Sequence, residues 1–182
     1  VVGLVSKTDL VKFIYSTGIP QLSESLEECG LGNSMVLSIE GSAMLLDALD
    51  LMSSNGLSSI AILENGVLFG NISMADVRFL FKRNSSLLFM DCRHFVRHIL
   101  EERSLENGGS DSFPIFEMHP QSTLKRCIEK LIATRTHRIW IVEQNISEGH
   151  CVVQPSEDSN STKKEGGLCG VVSLTDIIHH LC

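Results

Sequence analysis

Several signatures of membrane proteins and enzymes are missing from this sequence. No apolar run approaches the roughly 18 residues that a transmembrane helix requires. The metal-binding HExxH pattern, the GxSxG nucleophile elbow and the P-loop are also absent. We therefore expect neither a membrane span nor a catalytic function, and we expect the 43% of hydrophobic residues to form a globular core.

Basic residues are scarce. The chain has 15 Lys and Arg against 22 Asp and Glu, which gives a formal net charge of -7. A broad nucleic-acid surface normally needs a basic face, so we expect no nucleic-acid partner. The charge balance still leaves room for a small anion site made of a few basic residues.

Closely spaced cysteine pairs are absent as well, because none of the six cysteines belongs to a CxxC motif. They are Cys29, Cys92, Cys127, Cys151, Cys169 and Cys182. We interpret them as reduced thiols rather than disulfides or metal ligands, which indicates an intracellular protein. We expect it in the cytoplasm, with the nucleus as a second location. The adjacent His179 and His180 could bind a metal only with partners that the sequence does not show.

What the sequence does contain is a repeated motif. It occurs as "GLVSKTDLVKFI" at 3–14, "GNISMADVRFLF" at 70–81 and "GVVSLTDIIHHL" at 170–181. Each copy has the form Gly-x-x-Ser-x-x-Asp followed by an apolar helix start, so we expect repeated supersecondary units. The chain opens inside the first copy without an initiator Met, and we expect a fragment of a longer protein.

The surrounding patterns predict the same plan for the last two units. Apolar residues at helical spacing predict helices within 42–56 and 122–137, the second with Ser122 as its N-cap. An apolar strand, a turn and the motif strand follow each helix; Asn65-Gly66 is typical of a tight hairpin. We expect an α/β (or α+β) fold with helix–strand–strand–helix units. The predicted segments are 1–20 (terminal strand and helix of a preceding repeat), 31–84 (one repeat), 85–112 (connecting helix and loop) and 113–182 (one repeat, with a flexible insertion at about 144–166).

Polar residues at the strand-to-helix junctions of the motif, which we call joints, allow two interpretations. Asp76 and Asp176 follow the motif Ser where a strand becomes a helix, so they could be helix N-caps. A helix N-terminus also attracts anions, and a carboxylate beside it could hold two ribose hydroxyls. His137 and Arg138 could be a surface pair or a phosphate contact. Trp140 alternates with apolar residues, which favours the core or an interface over a stacking platform.

The unit with this motif resembles a CBS domain, and two units in succession resemble a CBS pair, or Bateman module, with pseudo-two-fold symmetry. "STLKRCIEKLIATRTHRIWIVE" with "GVVSLTDII" resembles the last repeat of the gamma subunits of AMP-activated and SNF-type kinases. A closer resemblance, to the fungal suppressor-of-dis family of four-CBS proteins, rests on "GNISMADV", "CRHFVRHIL", "DSFPIFEMHPQSTL" and "ATRTHRIWIV". It covers nearly the whole chain.

The resemblance implies a regulatory module that binds AMP, ADP or ATP in two symmetry-related clefts. In gamma subunits the last joint's Asp holds ribose hydroxyls, and the preceding Ser/Thr and the His-Arg pair contact phosphates. The strand start of the earlier repeat lies near the base and ribose, and a basic residue follows the connecting helix. Carried onto this chain, the implied nucleotide-binding residues are Ser58, Ser59, Ser73, Asp76, Arg103, Thr136, His137, Arg138, Ser173, Thr175 and Asp176.

Two departures bear on that expectation. Ser58-Ser59 replaces the basic His-Arg type of strand start, and Asp9 stands where animal gamma subunits tend to have a basic residue. The resemblance further implies control of a partner, a type-2A-like phosphatase or a kinase, in cell-cycle, cell-separation and stress or nutrient responses. The remaining CBS repeats of the same protein and a second copy (a homodimer) are further expected partners. The alternatives are a ligand-free interaction scaffold and a kinase gamma subunit.

Overall fold

The computed structural model describes residues 3–83, 85–106, 115–143 and 167–181. The helices are α1 (Lys7–Thr17), α2 (Leu45–Ser54), α3 (Met74–Arg83), α4 (Cys92–Glu106), α5 (Leu124–Thr134) and α6 (Leu174–Leu181). The strands are β1 (Ser38–Glu40), β2 (Ser59–Glu64), β3 (Val67–Ser73), β4 (Glu117–Met118), β5 (Arg138–Val142) and β6 (Leu168–Ser173). Two 3-10 segments, Pro20–Ser23 and Ser85–Phe89, complete the regular structure of the described residues.

The strands form two sheets of the same design, β1-β2-β3 and β4-β5-β6. In each sheet the first strand is parallel and the last strand antiparallel to the middle one. Both ladders shift register at the same place, after Ile62 in β2 and after Ile141 in β5. The predicted repeated α/β unit is therefore confirmed. The short strands β1 and β4 were not predicted, because two or three residues are too few for an alternation of side chains to be visible.

The hairpin between β2 and β3 forms where the sequence predicts it. Asn65 and Gly66 have φ of 54° and 80°, and a tight hairpin turn needs positive φ at both central positions. Glycine and asparagine adopt this conformation at little cost. The insertion predicted at about 144–166 in the other unit lies outside the described residues. The predicted loop that ends at residue 112 also lies outside them from residue 107 onward.

Local details of three predicted segments differ. The N-cap of α5 is Thr123 and not Ser122, because the Thr123 side chain accepts the bond from the Arg126 N–H. Residues 3–6, predicted as the end of a strand, belong to neither of the two sheets. The predicted connecting helix is divided into the 3-10 turn Ser85–Phe89 and α4. The positions of the longer helices and strands otherwise agree with those expected from their apolar periodicity.

The segment that leads into each repeat, which we call its lead-in segment, packs in the core of the other repeat. Phe95, Val96 and Ile99 of α4 lead into the second repeat, yet they are buried in the core of the first. Leu22 and Leu26 lead into the first repeat, yet they are buried with α5 and α6 in the core of the second. Each core is therefore completed by the chain that introduces the other repeat, so we expect the pair to unfold as one unit.

A third buried cluster joins the two sheets. It contains Ala61 and Leu63 of β2 together with Trp140 and Val142 of β5. The two β5 residues occupy the same register positions in their hairpin as the two β2 residues do in theirs. Trp140 is only 3% exposed, which confirms that it belongs to a buried interface. The small Ala61 corresponds to the large Trp140, so the pseudo-symmetric interface is filled by unequal side chains.

The glycine of the repeated motif is explained by close packing. A Cβ on Gly70 would lie 2.8 Å from Cγ1 of Val96 in α4. A Cβ on Gly170 would lie 1.7 Å from the backbone oxygen of Gly32, which precedes β1. In each repeat, the segment that leads into the other repeat thus crosses the last strand of the sheet directly over the motif glycine.

Helix α1 packs against α5 and α6. Val11 is fully buried there, and the Tyr15 hydroxyl donates to Glu129 in α5 at 2.7 Å. The first motif copy therefore adds a helix to the second repeat. None of the described helices combines the length and apolarity needed to cross a bilayer.

The four described cysteines, Cys29, Cys92, Cys127 and Cys169, are not paired in disulfides. Burial raises the pKa of Cys92 and of Cys127 to about 12 each. At pH 8 about one in ten thousand of such thiols is ionised, and the thiolate is the reactive form. We expect iodoacetamide to leave Cys92 and Cys127 unmodified in the native protein and to label both in urea, as peptide mass spectrometry can measure. Equal labelling in both conditions would contradict the buried positions.

Candidate ligand-binding clefts

The Ser–Asp pair of the motif has the same geometry in all three copies. The Ser N–H and Oγ both donate to Oδ2 of the Asp, at 3.0 and 2.6 Å in the first copy, 2.9 and 2.6 Å in the second, and 2.8 and 2.7 Å in the third. In the first and third copies the Asp N–H donates back to the Ser Oγ. In the first and third copies the Ser is therefore the N-cap, and the Asp, predicted as a possible N-cap, is the N3 residue that completes a capping box. The copies are distinguished by the environment of the second carboxylate oxygen, Oδ1.

A first cleft opens at the third joint. It has a cavity volume of about 560 Å³ and lies between α1, the start of β5 and the start of α6. It is lined by Ser6, Lys7, Thr8, Ser58, His137, Arg138, Val171, Ser173, Leu174, Thr175 and Asp176. Six of the predicted residues thus meet in one cavity, and Ser58 comes from the other repeat.

Basic side chains surround the first cleft. Lys7 at the start of α1 donates from Nζ to Oγ1 of Thr175 at 2.7 Å, and Arg138 donates from Nη2 to Oγ of Ser58 at 2.5 Å. Burial lowers the pKa of the Arg138 guanidinium, and the charge of Asp176 opposes this change. A guanidinium keeps its charge in proteins, so Arg138 presents a poorly solvated cation at the cleft.

Asp176 is the acidic group of this cleft. Its Oδ2 accepts the two bonds from Ser173. Among the described residues, none donates a hydrogen bond to its Oδ1 within normal distance, and the side chain is exposed. A carboxylate with one oxygen held by a cap and the other available is suited to accept hydroxyl groups of a ligand.

A second cleft lies on the other side of the strand starts, with a cavity volume of about 450 Å³. It shares Ser58, His137 and Arg138 with the first cleft. The other lining residues are Ser59, Asn71, Ser73, Met74, Ala75, Arg103, Ile115, Phe116, Arg135, Thr136 and Trp140. Four of the predicted residues that were not found in the first cleft line this one, namely Ser59, Ser73, Arg103 and Thr136, whereas the fifth, Asp76, is paired with Arg103.

Asp76 is not available in this cleft as Asp176 is in the first. It is 2% exposed, and its Oδ1 accepts from the Arg103 guanidinium in the last turn of α4. Arg103 was predicted to follow the connecting helix, but it belongs to that helix, where it neutralises the buried carboxylate. Asp76 itself does not line the cleft.

Ser59 has the one buried side-chain polar atom without a hydrogen-bond partner among the described residues. Its side chain is 4% exposed and lines the second cleft. In the register of the two hairpins Ser59 pairs with Ser73 as Arg138 pairs with Ser173, so Ser59 replaces Arg138. Thr136, which exchanges a bond with Thr134 at 2.8 Å, lines only this second cleft.

Twelve lining residues of the two clefts were not predicted as site residues, and four of these carry a charge or an aromatic ring: Lys7, Arg135, Phe116 and Trp140. Lys7 belongs to the first motif copy, but nothing in that copy indicates that α1 packs beside α6. Arg135 has a positive φ of 54° at the end of α5, which turns the chain toward the second cleft. Phe116 and Trp140 give that cleft an apolar wall, and a lone apolar residue in a strand carries no sign of such a role.

Comparison with known proteins agrees with this architecture. The CBS domain family profile matches residues 32–83. The chain is 36% identical to protein sds23 of Botryotinia fuckeliana over 98% of its own length, and 37% identical to that of Kluyveromyces lactis over 98%. It spans 44% and 36% of those relatives, respectively, which is less than half of each.

Solved structures give the same fold at low sequence identity. Protein MJ1225 of Methanocaldococcus jannaschii, a candidate archaeal homologue of g-AMPK, superimposes with a TM-score of 0.69 at 11% identity, covering 100% of this chain and 55% of that one. The CBS domain of a bacterial CNNM/CorC family Mg²⁺ transporter, in complex with ATP, gives 0.58 at 16% identity, covering 93% and 96%. The CBS pair of MJ0100, in complex with methylthioadenosine and S-adenosylmethionine, gives 0.55 at 10% identity, covering 86% and 94%.

Three independent observations therefore agree: the repeated motif, the paired sheets with exchanged lead-in segments, and the similarity to known proteins. The family profile covers the first repeat, and the structure gives the second repeat the same strand order, register shift and joint. Residues 32–83 match the CBS domain family, the second repeat has the same fold, and the chain is similar to the fungal sds23 proteins over nearly its whole length.

Proposed function

We propose that this CBS pair is a regulatory module that binds an adenine nucleotide in the first cleft. The observation that carries the proposal is the composition of that cleft: the available carboxylate of Asp176 lies in one cavity with the basic side chains of Lys7, His137 and Arg138. A nucleotide has the complementary pattern, since ribose hydroxyls donate to a carboxylate and phosphates accept from cations.

Each group has a definite part in this proposal. Oδ1 of Asp176 accepts the ribose hydroxyls, while Ser173 keeps the carboxylate in place through Oδ2. Lys7 and Arg138 bring positive charge to the phosphates, and Thr175 at the N-terminus of α6 adds a hydroxyl. Phosphate binding would replace the neutral hydroxyl acceptors of Lys7 and Arg138, on Thr175 and Ser58, with anionic oxygens.

The second cleft offers a different environment. Asp76, the counterpart of Asp176, is paired with Arg103 and does not line this cleft, and none of the described lining residues there is acidic. We propose that a nucleotide binds there more weakly than in the first cleft. The ligands named for two structurally similar CBS domains, ATP in one and methylthioadenosine with S-adenosylmethionine in the other, share an adenosine part and support an adenosine-type ligand.

The regulatory part of the proposal concerns a partner protein. The similarity to sds23 proteins supports a non-catalytic role, and we propose that ligand binding controls a type-2A-like phosphatase or a kinase, in the cytoplasm or nucleus. The exchanged lead-in segments give such control a physical route. Because each repeat is completed by the segment preceding the other, a ligand that stabilises one cleft also stabilises the packing of the other repeat.

Calorimetric titration of the full-length protein with AMP, ADP and ATP tests the nucleotide site. We expect Asp176→Ala to weaken binding by about 5- to 150-fold, or about 1–3 kcal/mol, because a charged acceptor of two ligand hydroxyls is lost. Asp9→Ala is the matched control: it removes the same Ser–Asp cap from α1, but Asp9 does not line the cleft. Its affinity should remain within about twofold of the wild type.

Two outcomes would overturn the proposal. Absence of nucleotide binding by the full-length protein would leave an interaction scaffold without a ligand. Equal losses in Asp176→Ala and Asp9→Ala would place the effect in the helix caps rather than in ligand contact. Purification of the protein from cells together with kinase subunits, and without a phosphatase, would replace the phosphatase assignment with that of a gamma-type subunit.

A further inference from the structure

Three metal-ligating side chains from separate parts of the chain meet away from both clefts. They are Glu24, which follows the 3-10 segment Pro20–Ser23, Cys29 in the turn before the first repeat, and His180 in the last turn of α6. Their ligand atoms all lie within 4.8 Å of one another, and this is the one such group of three found among the described residues. We call it the Glu24 cluster.

The backbone that carries the Glu24 cluster is held firmly. The N–H of Leu124 donates to the carbonyl of Glu24 at 2.9 Å, and the N–H of Leu26 donates to that of Ser122 at 2.9 Å. Within the turn, Ser25 and Glu28 bond reciprocally through side chain and backbone. Two of the three ligands therefore stand on a turn fixed against the start of α5, opposite a helix that carries the third.

The spacing suits a small cation. In a tetrahedral site with ligand bonds of about 2.0–2.3 Å, neighbouring ligand atoms are about 3.5 Å apart. The Cys29 Sγ and the Glu24 Oε2 are 3.7 Å apart, so this pair already has nearly that separation. The distances to the His180 ring are at most 4.8 Å, so rotation of this exposed side chain has to shorten them by at most about 1.3 Å to complete the set.

The charges also favour a cation. Glu24 and Glu28 both lie beside Cys29, and no Lys or Arg forms an ion pair with either of them among the described residues. A bound cation would be held by the Cys29 thiolate, because a coordinated thiol loses its proton outright.

We propose that Glu24, Cys29 and His180 form a zinc-type site, with water as the fourth ligand. Thiolate and imidazole donors select zinc and similar transition metals over Mg²⁺ and Ca²⁺, which prefer oxygen ligands alone. The metal would connect the lead-in segment at 24–29 to α6, which begins at the joint that carries Asp176. Cys29 then differs from the other described cysteines, whose role as free thiols is unchanged.

The test uses Co²⁺ as a spectroscopic substitute for Zn²⁺, added to the reduced full-length protein. We expect one equivalent to bind and to produce a thiolate-to-cobalt charge-transfer band that Zn²⁺ abolishes. Cys29→Ser and His180→Gln should each weaken Co²⁺ binding by at least tenfold, and Cys29→Ser should remove the band. His179→Gln is the matched control, because His179 is an exposed neighbour on the same helix that does not belong to the cluster.

Thermal unfolding gives a second measurement. Zn²⁺ at one hundred times its Kd should raise the unfolding midpoint of the wild type by about 5–10 °C, and EDTA should reverse the change. Glu24→Gln and His180→Gln alter exposed side chains and should fold normally while losing most of this shift. The proposal is wrong if the wild type gives no cobalt band. It is equally wrong if band and midpoint shift persist in His180→Gln at the wild-type metal affinity.

Discussion

Gly170→Ala is expected to lower the free energy of unfolding by about 3 kcal/mol or more. The added Cβ would lie 1.7 Å from the backbone oxygen and 2.3 Å from the carbonyl carbon of Gly32. Because both atoms belong to the backbone, rotation of a side chain cannot relieve the overlap. The lead-in segment must move away from β6, and this also disturbs Leu26 and the rest of the core that the segment completes. Urea unfolding followed by circular dichroism measures the effect.

Gly70→Ala is the informative comparison, because Gly70 has the same place in the other repeat. Its Cβ would meet Cγ1 of Val96 at 2.8 Å, and a valine side chain on α4 can give way more easily than a backbone. We expect a loss of about 1–2 kcal/mol for this variant. Gly3→Ala, with no atom within 4 Å of the added Cβ, should change stability by less than about 0.5 kcal/mol. A Gly170→Ala protein as stable as Gly3→Ala would contradict the close crossing at Gly32.

Arg103→Ala is expected to destabilise the protein by about 2–4 kcal/mol. The substitution leaves the carboxylate of Asp76, whose side chain is 3% exposed, without its cationic partner. Removing one member of a buried ion pair typically costs about 3–5 kcal/mol, and the 37% exposure of the Arg103 side chain reduces this cost because water can partly replace it. The unfolding free energy from urea titration is again the measurement.

Arg93→Ala provides the control on the same helix. Its ion pair with Glu64 at 2.6 Å is 34% and 37% exposed on its two sides, so we expect a loss of about 0–1 kcal/mol. The double variant Arg103→Ala with Asp76→Asn should recover part of the stability lost in Arg103→Ala, since no charge is then buried alone. If the double variant is less stable than Arg103→Ala, repair of an unpaired charge is not the explanation.

The Asp76–Arg103 ion pair, which stabilises the fold, is also the reason why the two clefts differ. The same Gly-x-x-Ser-x-x-Asp sequence produces an exposed, available carboxylate at Asp176 and a buried, paired one at Asp76. The local cap geometry is the same in both, because it involves residues three apart. The partner of the remaining oxygen comes from α4 in one repeat, whereas no described side chain supplies it in the other.

Much of the architecture followed from the sequence by itself. The repeated motif, the apolar periodicity of α5 and the Asn65-Gly66 turn are local patterns, and local backbone preferences are enough to predict the elements they form. The joints were predicted for the same reason. Where the pattern was too short, as in β1 and β4, or where neighbouring residues compete for one role, as Ser122 and Thr123 do for the cap of α5, prediction failed.

Tertiary structure alone decided which of these joints could meet a ligand. Lys7 enters the first cleft because α1 packs on α6, Asp76 is withdrawn from the second because α4 places Arg103 beside it, and His180 meets Glu24 and Cys29 because the lead-in turn is fixed against α5. Each of these depends on contacts between residues far apart in the chain. Burial, pairing of charges and the space above a glycine are properties of such contacts, so a motif with the same Gly, Ser and Asp positions acquires a different environment in each repeat.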